Sequence, residues 1–171
     1  MWVAPSLADR SNGYPYTVNL VDELHAIARV LREAGVAYAI CGGIAVTIHG
    51  ATRSTKDIDL LIAPTDVERV VELVRPLGYS FAALPMTFDA GTPRERHVRR
   101  ISKLERDHHL ILDLLLAEAA FAELLASRIE VELPEGSLSV VSREALVRMK
   151  RLAGRAQDLA DLEALERADD H

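Results

Sequence analysis

Apolar residues recur at Leu20, Leu24, Ile27, Val30 and Leu31, the three-and-four spacing of one helical face, and Gly35 follows as a stop signal. The period then shortens. Val36 to Cys41 is a brief apolar, β-leaning run that ends at Gly42-Gly43. Ile44 to His49 reads as a short helix closed by Gly50, and Asp57 to Ile62 as a strand stopped by Pro64. Thr65 is a fair N-cap for a helix through Val74, with Asp66 and Glu68 in its first turn, where the helix dipole favours acids. Pro76 and Gly78 end that helix.

Residues 84–95 hold Pro85, Gly91 and Pro93 with few apolar anchors, which predicts a loop or a distorted edge. Val98 to Leu104 and His109 to Leu116 read as strands, with Asp107 as a turn residue before the second. Ala117 to Ser127 is rich in alanine and leucine and predicts a helix. Val131 to Leu133 and Leu138 to Val141 predict two short strands around Pro134-Glu135-Gly136. The segments Ser142 to Leu152 and Gln157 to Arg167 read as two final helices, Ser142 with Ala145 giving half a capping box. This order predicts an α/β (α+β) fold, a mixed β-sheet flanked by helices with a short C-terminal helical tail. No repeat or linker divides the chain. Residues 18–171 are read as a single domain, preceded by a flexible arm over residues 1–17 rich in Pro, Ser, Asn, Gly and Tyr.

Composition narrows the function classes. A chain of 171 residues can bury a core without staples. The net charge of −6 argues against general nucleic-acid binding, although a local basic patch stays open. Cys41 is the single cysteine, so an internal disulfide and a cysteine-rich zinc site are both excluded within one chain. No apolar run approaches the ~20 residues of a membrane span, and the start of the chain lacks a secretory pattern. The expectation is a cytoplasmic protein without a membrane partner.

Candidate chemistry gathers at three places. Asp57 and Asp59 sit two apart in a predicted strand, so both side chains face one way, their Cα atoms roughly 6.6 Å apart. Two like charges side by side call for a cation or a shared proton, and Mg²⁺ suits carboxylate oxygens. Asp113 interrupts the apolar run Leu110 to Leu116, and an unpaired buried carboxylate is costly. If that strand lies beside Asp57–Asp59, Asp113 becomes a third ligand. Three carboxylates and a triphosphate can hold two Mg²⁺ ions ~3.5–4 Å apart. Gly42-Gly43, between a strand and a helix, lets backbone approach a phosphate closely.

The stretch Gly42-Gly43-x5-Ile48-His49-Gly50-x2-Arg53-x-Thr55-x-Asp57-Ile58-Asp59-Leu60 resembles the nucleotidyltransferase superfamily that includes DNA polymerase beta. Within it the chain is most similar to the AbiEii/AbiGii-type toxin nucleotidyltransferases, a likeness shared by the tail Leu146-x3-Lys150-x4-Arg155-x2-Asp158-x2-Asp161-Leu162. The resemblance implies an enzyme that moves a nucleoside monophosphate from a nucleoside triphosphate to an acceptor hydroxyl on RNA or protein. It also implies a toxin-like role restrained by a cognate antitoxin. Gly42 and Gly43 would contact the triphosphate. Asp57 and Asp59 would hold metal. Asp113 would hold the catalytic metal and help deprotonate the acceptor, and Arg53, Thr55 and Lys150 would sit near the phosphates. Gly-Gly stands where many active members carry Gly-Ser.

Plainer readings stand beside these. Asp57 and Asp59 also suit a surface strand, and Asp113 a satisfied buried aspartate. The histidines, His108-His109 included, read as structural or surface residues. Arg94, Arg96, Arg99, Arg100, Lys103 and Arg106 read first as a solvated face balanced by Glu95 and Glu105. Lys150, Arg155, Asp158 and Asp161 also suit helix-surface pairs, and Cys41 a core position. Two other functions stay open: a catalytically weak nucleotide-binding or protein-interaction module, and a small-molecule modifier, which would need an acidic substrate pocket.

Overall fold

A computed structural model describes residues 18–169. The predicted N-terminal arm, residues 1–17, lies outside the described residues. One mixed sheet runs through the molecule. Its strands are β1 (Tyr38–Cys41), β2 (Asp57–Ile62), β3 (Phe81–Ala82), β4 (Met86–Phe88), β5 (Arg96–Glu105), β6 (His108–Leu116), β7 (Ile129–Leu133) and β8 (Gly136–Val140). They lie in the order β3-β5-β6-β2-β1-β8-β7, with β4 also paired to β5. The helices are α1 (Leu20–Glu33), α2 (Gly42–Ile48), α3 (Val67–Val74), α4 (Ala122–Ala126), α5 (Arg143–Ala153) and α6 (Ala156–Asp169). α1 packs on α3, while α2 packs on α5 and α6.

The centre of the sheet is its most apolar part. β2 pairs antiparallel with β1 and parallel with β6. Ile58, Leu60, Leu61, Ile62, Leu112 and Leu114 are almost wholly buried there. Parallel strands covered on both faces need such apolar runs. Around the centre, Leu24, Ile27, Ala28 and Leu31 form the buried stripe of α1 that the spacing predicts. Asn19 caps that helix, its side chain accepting from the Val21 N–H at 3.0 Å. Ser142 caps α5 in the same way, accepting from Ala145 N–H at 3.1 Å.

Some local expectations are corrected. Pro64 does not merely stop β2. It opens a 3-10 turn, Pro64–Asp66, that leads into α3, so Thr65 lies inside the turn rather than at an N-cap. Proline's fixed φ suits that first helical position. The helix expected over Ala117–Ser127 begins later, as a 3-10 turn at Ala119–Phe121 followed by α4. The cause is β6, whose pairing runs on: Ala117 N–H donates to Ile62 carbonyl at 2.7 Å, which keeps the backbone extended. Within the stretch read as loop or edge, β4 forms an edge strand, and β3 precedes it. Among the described residues, no helix is long and apolar enough to cross a membrane.

Leu112 lies at 0% exposure between β2 and β5. Leu112→Ala is expected to lower unfolding free energy by about 2–5 kcal/mol, the usual cost of a core leucine truncation, as read from urea denaturation.

Candidate active site

β2 sets the site. Asp57 and Asp59 share one face of it, while Ile58 and Leu60 turn into the core. β6 lies alongside with Asp113 in register with Asp59. On the other side of β2, Cys41 of β1 is in register with Asp59, and beyond β6, Arg100 of β5 is in register with Asp113. A single row thus crosses four strands: Cys41, Asp59, Asp113, Arg100. Neighbouring strands are about 4.8 Å apart, so the two central carboxylates are close neighbours.

The crowding falls on Asp59. Burial, then the charges of Asp113 and Asp57, push the Asp59 carboxyl up to about 7, against the opposing pull of Lys150 and Arg155. Burial, with Asp59 next, also pushes the Cys41 thiol up. A wholly buried thiol of that kind is a poor nucleophile, and Cys41 belongs to the core. Asp113 is 8% exposed. Its two oxygens accept from Arg100, Oδ1 from Nε and Oδ2 from Nη2, both at 2.8 Å.

The glycine turn closes on this row. α2 begins at Gly42 itself rather than after the glycines. Gly42 has φ +63°, and any side chain there would run into the Asp59 carboxylate. Glycine at this position therefore answers both the backbone conformation and the close approach. A side chain on Gly43 would start 2.9 Å from Thr55 Cβ and 3.1 Å from its Oγ1. The Thr55 hydroxyl therefore fills the space beside the turn that a serine at 43 would take. Its oxygen also lies 3.4 Å from the Asp57 backbone N–H.

The C-terminal helices supply the opposite wall. Lys150, 6% exposed, donates to Asp158 at 3.2 Å and Asp161 at 2.7 Å. Asp158 also accepts from Arg155 Nε at 2.7 Å. Burial alone would raise its pKa, yet these cations hold it below the ordinary carboxylate value. Asp161 lies 3.0 Å from Arg53 Nε, a charge contact without hydrogen-bond alignment. Asp161 therefore ties Arg53, in the loop before β2, to Lys150 on α5.

All the predicted site residues line one cleft of about 310 Å³: Gly42, Gly43, Arg53, Thr55, Asp57, Asp59, Asp113 and Lys150. Two plainer expectations are corrected. Asp158 and Asp161 are not helix-surface pairs, being 1% and 2% exposed. The basic segment is not simply solvated: Arg96 and Arg100 line the cleft, and Arg99 pairs with Glu68 at 3.3 Å. The alternation along β5 carried the signal for Arg96 and Arg100. Sequence reasoning missed the apolar side of the cleft, where Phe88, Val98, Phe121 and Met149 meet from four separate elements. Arg96 stands 5.8 Å over the Phe88 ring and pairs with Asp89 at 2.9 Å. His49 has a structural partner, its Nε2 pairing with the Val141 carbonyl at 2.8 Å.

Among the described residues, no three His, Cys, Asp or Glu side chains stand close enough to ligate one ion as they are placed. The donor set nevertheless suits a divalent cation. It consists of carboxylate oxygens, hard ligands, whose mutual repulsion a cation would relieve. The residues that would hold it are Asp57, Asp59 and Asp113.

Comparison with known proteins bears on the fold and the family. A family described as uncharacterised nucleotidyltransferase matches residues 16–150. No protein of curated function matches the sequence. The antibiotic-resistance factor ANT(2")-Ia, solved with adenylyl-2"-tobramycin, is similar in fold, at 20% identity over 85% of this chain and 86% of that chain, TM-score 0.55. Its solution structure gives 19% identity over 85% and 81%, TM-score 0.57. A presumed nucleotidyltransferase from Thermotoga maritima gives 13% identity over 84% and 89%, TM-score 0.58.

Asp59 generates a pH prediction for the metal-free protein. Its folded pKa, about 7, exceeds the unfolded value of about 4, so the fold binds a proton that the unfolded chain has lost. Stability therefore falls as pH rises through that window, and the cost is complete above it. Asp59→Asn removes the charge at nearly constant shape. It is expected to raise stability by about 1–2 kcal/mol at pH 8 and to make little difference near pH 4, measured by urea unfolding in the presence of a chelator.

Proposed function

Because the chain belongs to the uncharacterised nucleotidyltransferase family, we propose that it transfers a nucleoside monophosphate from a nucleoside triphosphate to a hydroxyl of an RNA or protein acceptor. The observation that carries this reading is the register of β2 and β6. It sets Asp59 beside Asp113, with Asp57 on the same face, in a cleft that also holds the Gly42-Gly43 turn.

The acceptor oxygen attacks the α-phosphorus, the bond from that phosphorus to the bridging oxygen breaks, and pyrophosphate leaves. Such reactions depend on positioning and charge stabilisation. Gly42 and Gly43 bring backbone against the triphosphate, since neither carries a side chain to hold it off. Arg53 contributes positive charge beside it. Thr55 supplies a hydroxyl beside the turn, in the place that serine takes in many members. Lys150 acts through the field of the buried network with Asp158 and Asp161, because its ammonium is already held by those carboxylates. Asp113 helps to deprotonate the acceptor hydroxyl. A divalent cation, Mg²⁺ in this reading and two ions with the triphosphate bound, would be held by Asp57, Asp59 and Asp113 and would neutralise charge on the phosphates.

The choice of acceptor follows from charge. A small polycation needs several carboxylates free to meet it. The carboxylates lining the cleft are Asp57, Asp59, Asp113 and Asp158. The first three are assigned to the cation, and the fourth is paired to Lys150 and Arg155. Arg96, held by Asp89, and Arg100, held by Asp113, line the remaining wall, and with Arg53, Lys150 and Arg155 the cleft carries five cations against those four carboxylates, which suits an anionic acceptor better. RNA fits that wall, as does an acidic stretch of protein. The sequence likeness to AbiEii-type toxins supports a toxin role, with an antitoxin as its partner.

Calorimetric titration with each of the four nucleoside triphosphates, with and without Mg²⁺, tests the reading. Binding of at least one is expected to require Mg²⁺ and to weaken by more than roughly tenfold in Asp57→Ala/Asp59→Ala, because losing direct ligands should exceed the loss from outer-shell partners. Absence of binding to all four, in folded protein, would overturn the enzyme reading and leave an interaction module.

A further inference from the structure

Arg100 does more than line the acceptor wall. It completes the cross-strand row Cys41–Asp59–Asp113–Arg100. Its guanidinium donates to both oxygens of Asp113 at 2.8 Å each. A fork of this kind is the strongest arrangement open to an arginine and a carboxylate. Asp113 is the inner partner, its side chain 11% exposed, whereas Arg100 is the outer one at 40%. The backbone of Arg100 is fixed by β-pairing to Asp113 on one side, and its carbonyl accepts from the Ala83 N–H at 2.8 Å on the other. Only the side chain has freedom to move, and it lines the open cleft.

A cation and Arg100 want the same oxygens. Without a cation, Arg100 neutralises Asp113, and Lys150 and Arg155 partly offset the charge at Asp59. With a cation among Asp57, Asp59 and Asp113, a second positive charge on Asp113 would be repelled by it and redundant. We propose that Arg100 is a positioning residue that competes with the divalent cation for Asp113, holding that carboxylate while the cation is absent and releasing it when the cation binds. Arg100 thereby sets how tightly the site takes the cation. The idea rests on the cation site of the proposed function.

Two features of the structure support competition rather than a purely structural pair. The fork engages both Asp113 oxygens, so a cation that binds Asp113 would meet Arg100 at either oxygen. Arg100 also lines the cleft rather than the core, so its release leaves no buried unpaired charge and carries little desolvation cost. A buried structural arginine would instead be trapped by its partner.

The test measures Mn²⁺ binding alone, without nucleotide, by electron paramagnetic resonance of the free ion. Arg100→Gln is expected to bind Mn²⁺ about tenfold more tightly than wild type, the scale of one charge-assisted hydrogen-bonded pair. Arg100→Lys keeps the charge without the fork and should fall between the two. On an Asp113→Asn background, Arg100→Gln should tighten binding far less, because only the weaker charge effect on Asp57 and Asp59 remains. A structural role predicts the opposite sign, with affinity unchanged or weaker in Arg100→Gln as the site loosens. Should Arg100→Gln fail to fold by thermal melting, Arg100→Lys decides alone: tighter binding supports competition and equal or weaker binding overturns it. Equal Mn²⁺ affinity in wild type and both variants overturns the competition but leaves the cation site standing. No Mn²⁺ binding by any of them overturns both.

Discussion

Three carboxylates on one face of two adjacent parallel strands repel each other, and the burial of Asp113 and half-burial of Asp57 and Asp59 limit the water that would screen that repulsion. Asp59 and Asp113 are in register, with Asp57 two residues along the same strand. Everything around the cleft answers this crowding. Arg100 forks Asp113 from one side. Lys150 and Arg155 oppose the charge of Asp59 from the other. At Gly42 the chain comes close to the Asp59 carboxylate, and no side chain exists there to collide with it.

The same crowding explains why the C-terminal helices belong to the site. Lys150 alone, buried beside this acidic row, would be a charge removed from water. Asp158 and Asp161 make its burial tolerable, and they are themselves held by Arg155 and Arg53. Buried ion networks of this sort add little net stability, and breaking one member strands another. The consequence is mechanical: α5, α6 and the loop before β2 are joined through Asp161, so the wall opposite the carboxylates is fixed relative to them. The family match ends at residue 150, while Arg155, Asp158 and Asp161 lie beyond it.

Family membership points to nucleotide transfer, and the cleft carries a wall of mixed character. Its cationic groups, Arg96 and Arg100, come from β5 and face the cleft by strand alternation. Its apolar residues, Phe88, Val98, Phe121 and Met149, come from β4, β5, a 3-10 turn and α5. A wall assembled from so many segments can change its preference by local substitution while the carboxylate row stays as it is.

The sequence by itself determined the strands and helices with the clearest periodicity and the identity of the acidic row. Asp57 and Asp59 had to share a face because strand side chains alternate, and Asp113 stood out because a lone carboxylate in an apolar run needs a partner. Those are local facts, set by neighbours in the chain. Tertiary structure decided which partner each charge received. Arg100 could be read as a solvated residue until β5 was placed beside β6. Asp158 and Asp161 could be read as surface residues until α6 folded back on α5. The start of the helix after β6 depended on pairing with Ile62, more than fifty residues earlier. A residue's spacing is written in the chain, but the energy of a charge or a backbone N–H depends on what lies across from it, and only folding brings that group within reach.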